Sequence, residues 1–327
     1  IILLLFAQNI RQKPFKTVLL NIAYTFGFYK RLLWKLGSVI APDFILDLAA
    51  KFRFVRSTAA YSKSRFKTSM KFIRWMAYLW IDHEISFTTP DGTKFISMPH
   101  NYSSFLVCFD DFRDPSIYAF QRAHLKGDSI FVDAGGNIGT YTVRAAQLIG
   151  SEGRVISIEA HPYIYSYLTR NIALNGLKGV TPVNIALGAE NGSVDMSYDP
   201  SNAGETHVAV KGEKKIIVPM STLDNTLGDL GISHVDYLKI DVEGFELPLI
   251  TGAKGTIAKN RNIIIQTELD DRHARRYGSP ITEFVELLYG LGLSPHMVDK
   301  NGVPSLVSRQ ELSVECDVLW WREQGVK

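Results

Sequence analysis

Cysteine is scarce in this sequence, and long apolar runs are missing from it. Only Cys108 and Cys316 occur among 327 residues, far apart in the chain. This excludes a disulfide scaffold and a cysteine-rich metal site, and it fits a reducing, cytoplasmic compartment. The apolar opening, residues 1–7, is far shorter than the ~20 residues that span a bilayer, and it lacks the basic flank and cleavage site of a signal peptide. We interpret it as part of an ordinary packed helix rather than as the stub of a trimmed membrane anchor.

Acidic residues are rare in the first part of the chain. Residues 1–85 contain 4 Asp and Glu against 14 Lys and Arg, whereas the remainder contains 29 against 22. The same 85 residues hold 16 of the 37 aromatic residues. A basic and aromatic segment suggests an anionic partner, either lipid headgroups or nucleic acid. Composition alone does not choose between the two.

No internal repeat or low-complexity tract divides the chain, but its periodicity changes along its length. Residues 1–84 have the pattern of helices. A period of two around the turn at residues 90–92 then predicts a β-hairpin. We therefore expect a basic, aromatic-rich helical region over 1–84, a hairpin and connecting segment over 85–127, and an α/β domain over 128–327.

One helix of the first region, predicted over residues 64–80, combines apolar and basic residues at helical spacing. Its apolar residues recur at steps of four and three and share one face: Phe66, Met70, Ile73, Ala77 and Trp80. Its basic residues run beside them: Lys63, Lys67, Lys71 and Arg74. Such a helix fits a membrane interface and a docked position on the α/β domain about equally well.

From residue 128 onward, strands alternate with helices. Strands are predicted over 129–134, 154–160, 180–187, 237–242, 263–269, 295–298 and 314–321. Helices are predicted over 138–149, 163–175, 245–259 and 281–291. Repeated strand–helix–strand units indicate a mostly parallel sheet with helices on both faces, and such sheets bind ligands at the carboxyl ends of the strands. Residues 191–225 interrupt the alternation and predict a surface excursion near that edge, with strands at 194–198 and 215–219.

The strongest chemical signal is the segment IFVDAGGNIGT at residues 130–140. A strand ends at Asp133, a glycine turn follows, and a helix begins, so that free backbone N–H groups face a ligand. The spacing of Gly135, Gly136 and Gly139 differs from that of the dinucleotide fingerprint. An acid beside the turn repels a pyrophosphate but suits the ammonium group of an amino acid. The pattern therefore favours S-adenosylmethionine over NAD.

The next strand ends at a second acid, Glu159. It follows Gly139 by 20 residues, the distance at which an acid reaches the ribose hydroxyls of a nucleotide. Acids at two consecutive strand ends, around a glycine turn, predict a nucleoside cofactor.

Five blocks between residues 128 and 300 resemble those of the FkbM-type S-adenosylmethionine-dependent methyltransferases. They are DAGGNIG at 133–139, EAHP at 159–162, NIALG at 184–188, TLD at 222–224 and KIDVEG at 239–244. The last is intact and is the most specific of the five. Ala160 and His161 depart from the family pattern but leave the ribose acid in place. The basic N-terminal 85 residues lie outside the resemblance.

The resemblance implies a class I methyltransferase fold, a Rossmann-like and mostly parallel sheet of seven strands, with S-adenosylmethionine as cofactor. Its motifs imply a methionine-end contact at the glycine turn, a ribose contact at the second acid and an adenine contact at the third block. The implied cofactor-binding residues are Asp133, Gly135, Gly136, Asn137, Gly139, Glu159, Ala160, Asn184 and Ala186.

The fifth block, at the end of the fourth predicted strand, supplies the candidate catalytic residues Lys239, Asp241 and Glu243, which alternation places on one side of that strand. Methyl transfer to a hydroxyl needs an aligned acceptor and removal of its proton. Asp241 suits either task, and Lys239 can hold its charge or bind the acceptor oxygen. A Lys–Asp ion pair that only supports the strand end is the alternative.

Residues near the following strand end are candidates for acceptor binding. Glu268 is expected beside Asp241, where two carboxylates can bind sugar hydroxyls or, less favoured, Mg²⁺ or Ca²⁺; we expect no metal. Arg272 follows in a basic turn that suits an anionic acceptor, and His207 lies in the irregular excursion.

We therefore predict an O-methyltransferase that acts on a hydroxyl of a carbohydrate, glycolipid or polyketide-like compound. This acceptor is either a small molecule or is linked to a lipid. We also predict that the enzyme is peripheral at an anionic membrane surface. An RNA methyltransferase is the alternative, although the Asn/Asp-Pro-Pro-aromatic motif is missing and no nucleic acid is expected. A non-catalytic cofactor-binding scaffold and a NAD-dependent oxidoreductase are weaker alternatives.

Overall fold

The computed structural model describes residues 42–80, 83–110, 115–197, 206–210, 215–278, 280–312 and 316–323. The predictions for residues 1–41 lie outside this described part. None of the helices within it is long and apolar enough to cross a bilayer.

Thirteen strands and twelve helices make up the described part of the chain. The strands are β1 Ile85–Thr88, β2 Lys94–Ser97, β3 Ile130–Ala134, β4 Arg154–Ile158, β5 Val180–Val183, β6 Ala186–Leu187, β7 Gly192–Ser197, β8 Lys215–Ser221, β9 Tyr237–Ile240, β10 Ile264–Leu269, β11 Ser294–Val298, β12 Pro304–Leu306 and β13 Cys316–Trp321. The helices are α1 Pro42–Ser57, α2 Ala59–Lys63, α3 Arg65–Trp80, α4 Tyr102–Asp110, α5 Pro115–His124, α6 Thr140–Ile149, α7 Pro162–Leu174, α8 Leu223–Asp229, α9 Glu246–Thr251, α10 Lys254–Lys259, α11 Asp271–Arg275 and α12 Ile281–Gly290.

The main sheet has the strand order β12-β11-β13-β10-β9-β3-β4-β5. The five strands from β10 to β5 are parallel, β13 runs antiparallel to β10, and β11 pairs antiparallel with β13. This confirms the α/β class and the mostly parallel sheet, with eight strands where seven were predicted. The additional strand, β12, is a three-residue edge strand that begins at a proline, which leaves no periodic signal to detect.

Helices cover both faces of the sheet, as predicted. On one face, Val132 and Leu238 pack with apolar residues of α8, α9, α10 and α12. On the other, Phe131 and Tyr237 pack with residues of α5, α6 and α7, and their rings stack at 5.0 Å. Because neighbouring residues of β3 and β9 are buried on opposite faces, these central strands are apolar throughout, which is typical of a covered parallel sheet.

Two predicted elements are interrupted. The strand expected over 180–187 is divided after β5, because Asn184 turns away and donates its amide to the carbonyl oxygens of Glu159 and Ala160; β6 then joins a separate sheet with β7 and β8. The helix expected over 245–259 is divided into α9 and α10. Asp224 accepts the N–H groups of Gly255 and Thr256 at 2.8 and 2.6 Å and so caps the start of α10.

The N-terminal helices pack on α4 through one face of α3. This face is not the apolar stripe that the sequence predicts. Phe72, Trp75 and Met76 are buried against Phe105 and its neighbours. The stripe itself is largely in solvent, as the 77% exposed Phe66 and the 48% exposed Met70 show. The helix therefore has two apolar faces, one docked and one exposed.

The hairpin of β1 and β2 forms as predicted and is held on the α/β domain. The backbone N–H groups of Lys94 and Ile96 donate to the side chains of Asn175 and Asn171 on or beside α7, at 2.9 and 2.7 Å. This attachment brings α4, which follows the hairpin, to the mouth of the site described next.

Candidate active site

A cavity of about 730 Å³ opens at the carboxyl ends of β3, β4, β9 and β10. Because these four strands are parallel and adjacent, their carboxyl ends meet at one edge of the sheet. The start of α4, with Tyr102 and Ser103, and residues near β6 complete the walls. The cavity thus lies where the sequence predicts the site, at the carboxyl ends of the parallel strands.

The glycine turn after β3 forms one wall of this cavity. Gly135 and Gly136 both donate their N–H to the carbonyl of Ile158 at 2.9 Å, which ties the turn to the end of β4. Gly135 has a φ of +84°, and a Cβ there would lie 1.8 Å from the carbonyl oxygen of Asp241. The turn can therefore touch the end of β9 only because this residue is glycine.

Asp133 is not among the residues that line the cavity, and the contact predicted between it and the ammonium group of the cofactor stays a prediction. Its side chain is buried beneath the cavity floor, where it accepts a 2.6 Å hydrogen bond from Thr142 Oγ1. In the sheet register Asp133 lies opposite Lys239, and its Oδ1 is 3.6 Å from Lys239 Nζ. Burial raises the pKa of Asp133, although the Lys239 ammonium opposes that rise. Its structural role is to support Lys239 from below.

Glu159 does face the cavity, from the end of β4. One carboxylate oxygen accepts the backbone N–H of Asn137 at 2.9 Å, and the other accepts that of His161 at 2.8 Å. Each oxygen keeps acceptor capacity, since a carboxylate oxygen has two lone pairs. Burial raises the pKa of this carboxyl to about 7, although the two N–H groups favour its charged form. His161, a departure from the family pattern, caps α7 by accepting the Tyr163 N–H.

Three other predicted residues lie outside the cavity lining. Gly139 is the N-cap of α6, and a Cβ there would meet Leu168. Asn184 supports the loop after β4 through the two carbonyls it binds. His207 pairs with Ser197, while its neighbours Thr206 and Val208 line the cavity. These residues shape the walls from behind, because the chain turns at each of them.

Lys239, Asp241 and Glu243 all line the cavity, as predicted. Lys239 Nζ donates to Asp241 Oδ2 at 3.0 Å and lies 4.8 Å from the centre of the Tyr141 ring. Burial alone would lower the pKa of Lys239, but the carboxylates of Asp241 and Asp133 outweigh it and hold the pKa above its ordinary value. Lys239 is therefore a fixed positive charge under the cavity floor.

The turn after β9 has an unusual backbone. Glu243 has a φ of +56°, which is rare for a residue with a side chain, and Gly244 has a φ of +102°. A Cβ at Gly244 would lie 2.3 Å from the carbonyl oxygen of His273, so this turn packs directly on α11. Glu246 closes the turn by accepting the Gly244 N–H at 3.1 Å, and burial raises its pKa to about 7.

The far side of the cavity includes Glu268 and Arg272, as predicted. Arg272 is mostly exposed and bonds to Asp270, whose pKa it lowers to about 2. Several lining residues were not among the predicted site residues: Tyr141, Gln266, Asp270, His273, Arg276 and Asp317. Arg276 Nη1 is buried and has no hydrogen-bond partner among the described residues. Of these six residues, only His273 and Arg276 lie in a segment that the sequence marks, which is the basic turn after β10.

No group of three or more His, Cys, Asp or Glu residues in the described part of the chain is arranged to hold a metal ion. Carboxylates of the cavity instead pair with basic side chains of the same chain. Asp241 pairs with Lys239, Glu243 lies 3.2 Å from His273, and Asp270 pairs with Arg272.

The lining fits S-adenosylmethionine. Gly135 and Gly136 leave room for close approach of the methionine end to the backbone, and Glu159 presents acceptor capacity for two ribose hydroxyls. The surrounding carboxylates suit a cofactor with a positively charged sulfur. The strand order and this site together define the class: an S-adenosylmethionine-dependent methyltransferase.

The family comparison identifies the domain more closely. Residues 133–291 match the family model described as the Methyltransferase FkbM domain. The chain therefore contains an FkbM methyltransferase domain, and the resemblance stated from its motifs is confirmed.

Three relatives share part of the sequence. Methyltransferase sdnD of Sordaria araneosa is 26% identical over 46% of this chain and 70% of its own. The 2-O-methyltransferase NoeI of Sinorhizobium fredii is 25% identical over 50% of this chain and 72% of its own. The hexuronic acid methyltransferase AglP of Haloferax volcanii is 24% identical over 42% of this chain and 56% of its own.

Proposed function

We propose that the protein transfers the methyl group of S-adenosylmethionine to a hydroxyl of a carbohydrate, glycolipid or polyketide-like acceptor. One observation carries the proposal: Gly135, Glu159, Asp241 and Glu268, from the ends of four neighbouring parallel strands, line a single cavity. Two relatives whose names specify a 2-O position or a hexuronic acid favour an oxygen acceptor on a sugar.

The cofactor would lie along the glycine turn. The backbone of Gly135, Gly136 and Asn137 would hold its methionine end, Glu159 its ribose, and the wall at Ala160 and Ala186 its adenine. When bound, it supplies an electrophilic methyl group on a positively charged sulfur.

The acceptor would lie on the β10 side of the cavity. Asp241, held by Lys239, would bind and orient the hydroxyl that is methylated, and Glu268 would bind further hydroxyls. Carboxylates accept hydrogen bonds from hydroxyl groups, so a wall rich in them suits a polyhydroxylated acceptor.

The helical region over 1–84 would bring this domain to an anionic lipid surface. Support comes from the exposed stripe of α3, where Phe66 and Met70 face solvent beside the exposed side chains of Lys63, Lys67 and Arg74. Apolar residues flanked by basic ones fit an interface where acyl chains meet anionic headgroups. Lys71 is excluded from this surface because its ammonium donates to the Cys108 carbonyl at 2.5 Å.

Methyl transfer from labelled S-adenosylmethionine tests the proposal. The full chain is incubated with methyl glycosides, methyl glucuronide, a glycolipid, an aliphatic polyol and an RNA oligomer. We expect label on an alcohol oxygen of a sugar or polyol, and none on RNA. Label on RNA alone, or on no compound, would contradict the proposed acceptor class.

Asp241→Asn tests the catalytic assignment in the same assay. The amide keeps the shape but loses the charge that orients the acceptor, so kcat should fall by about 10²-fold while the affinity for S-adenosylhomocysteine changes little. The exposed Asp229→Asn is the matched control and should match the wild type. An unchanged kcat in Asp241→Asn would remove Asp241 from the mechanism.

A further inference from the structure

We propose that His273 accepts the proton of the hydroxyl that is methylated, and that Glu243 is the positioning residue for its imidazole. This rests on the proposed O-methyl transfer and adds to it the group that removes the proton. His273 was not among the predicted catalytic residues, and Glu243 changes from a catalytic to a positioning role.

The geometry around His273 is that of a base held by an acid. His273 Nδ1 lies 3.2 Å from Glu243 Oε2, and Nε2 is 3.9 Å from Asp270 Oδ2, beyond hydrogen-bond distance. The imidazole is 31% exposed and lines the cavity. An Nδ1 proton shared with Glu243 leaves the Nε2 lone pair free to accept a proton, as in other nucleophile–base–acid arrangements.

The backbone of the turn after β9 is built for this contact. Glu243 adopts a positive φ that is costly for a residue with a side chain, and such strain concentrates at functional sites. Gly244 then lets the turn pack against the His273 carbonyl, where any side chain would collide. Glu243 and His273 are thus brought together by two adjacent residues that both need special backbone conformations.

The other candidates for the base are less suitable. Lys239 is held in its charged form by two carboxylates and cannot accept a proton. The carboxylate of Asp241 is paired with that ammonium at 3.0 Å, which suits it to bind a hydroxyl more than to deprotonate it. His273 and Asp241 line the same small cleft, so an acceptor hydroxyl bound there by Asp241 would be within the cleft that the imidazole also lines.

Charged groups from three elements line the same cavity as the imidazole. They are Glu243, Asp241 and Glu246 at the end of β9 and the start of α9, Glu268 and Asp270 at the end of β10, and Arg272 and Arg276 on or beside α11.

In the methyl transfer, the acceptor oxygen forms a bond to the methyl carbon as the methyl–sulfur bond breaks. The electron pair of the broken bond stays on sulfur. The hydroxyl proton moves to His273 Nε2. It is then released to water through the mouth of the cavity, which returns the imidazole to its neutral form.

His273→Gln is the first test, in the methyl-transfer assay with the acceptor found above. Loss of a general base should lower kcat by about 10²–10⁴-fold with little change in the affinity for S-adenosylhomocysteine. His234→Gln, at a surface histidine 2.7 Å from Asp236, is the matched control and should keep wild-type kcat. A His273→Gln kcat within threefold of wild type would overturn the proposal.

A spectroscopic test needs no acceptor. In the full chain with ¹⁵N-labelled histidine, the neutral imidazole of His273 should carry its proton on Nδ1. Glu243→Asn removes the carboxylate but tolerates the positive φ, so this variant should fold and the proton should move to Nε2. An Nε2 proton in the wild type, or no change in the variant, would overturn the pairing.

The two tests separate this inference from the proposed function. If no compound is methylated, the proposed function fails whatever the tautomer of His273. If methylation occurs and His273→Gln is normal, the proposed function stands and the inference fails.

Discussion

At the scale of single residues, the sequence motifs predict which side chains belong to the site. They predict less well in which direction each side chain points. Glu159 and Asp241 face the cavity, as their positions at strand ends predict. Asp133 is also a strand-end acid but is fully buried, where it accepts a hydrogen bond from Thr142 and lies beside Lys239. Register between non-consecutive strands is a tertiary property, and no pattern along one strand reveals it.

His273 shows a second limit of sequence analysis, which is that a site residue can lie outside every recognisable motif. It lies three residues after the strand-end acid Asp270, in a turn whose basic residues indicate an exposed surface equally well. Its pairing with Glu243 depends on two positive φ angles elsewhere in the chain. Asp317 likewise enters the site from the antiparallel strand β13, opposite Glu268, where no motif marks it.

A prediction at this scale concerns the buried carboxyl of Glu246. Its pKa is raised to about 7 by burial, so the folded state holds a proton that the unfolded chain releases near pH 4.5. The wild type should therefore lose stability as the pH rises from about 4.5 to 7. Glu246→Gln should remove the share of that loss that comes from Glu246, leave the share that comes from Glu159, and exceed the wild type by about 1–3 kcal/mol in free energy of unfolding at pH 8.

Urea unfolding at pH 4.5 and pH 8 measures this difference, with the exposed Glu283→Gln as control. Glu246 accepts both of its backbone N–H bonds on a single oxygen, Oε1, so the amide of glutamine can retain them. Equal pH dependence in the wild type and in Glu246→Gln would show that this carboxyl does not titrate as argued.

At the scale of elements, helical periodicity predicts that a helix exists but does not say which face is docked. The stripe of Phe66 and Met70 has regular spacing, yet the face that packs on α4 contains Phe72, Trp75 and Met76. A helix rich in aromatic residues all round has more than one apolar face, and only its neighbours select between them. The divided helix at residues 245–259 has a similar cause, since its break depends on the distant cap Asp224.

The exposed face of α3 carries a prediction of its own. The combined variant Lys63→Glu, Lys67→Glu and Arg74→Glu should lower binding to vesicles that contain phosphatidylserine by at least 10²-fold, because each basic residue near such a surface contributes about 1 kcal/mol. Lys254→Glu, Lys259→Glu and Lys300→Glu, at exposed sites, make the same change in net charge and should bind nearly as the wild type does. Co-sedimentation with vesicles is the measurement. Equal loss in both variants would indicate an effect of net charge alone.

At the scale of the whole molecule, the uneven charge of the sequence separates a basic N-terminal part from an acidic part that contains the cavity. The acidic part contains the FkbM methyltransferase domain, and six of its carboxylates line the cavity: Glu159, Asp241, Glu243, Glu268, Asp270 and Asp317. The basic part lies outside the residues that match the family model and contains α3 with its exposed basic residues. The mostly parallel sheet with helices on both faces was predictable because alternating strands and helices allow few topologies.

The central claim is that the cavity at the ends of β3 and β4 binds S-adenosylmethionine with Glu159 on the ribose. Isothermal titration of the full chain with S-adenosylhomocysteine tests it most directly, beside Glu159→Ala and the exposed control Glu283→Ala. We expect the wild type and the control to bind S-adenosylhomocysteine. Glu159→Ala should bind it at least tenfold more weakly, because two hydrogen bonds to a carboxylate are lost. We expect no binding of NADH. Tight binding of NADH without S-adenosylhomocysteine, or an unchanged affinity in Glu159→Ala, would contradict the account.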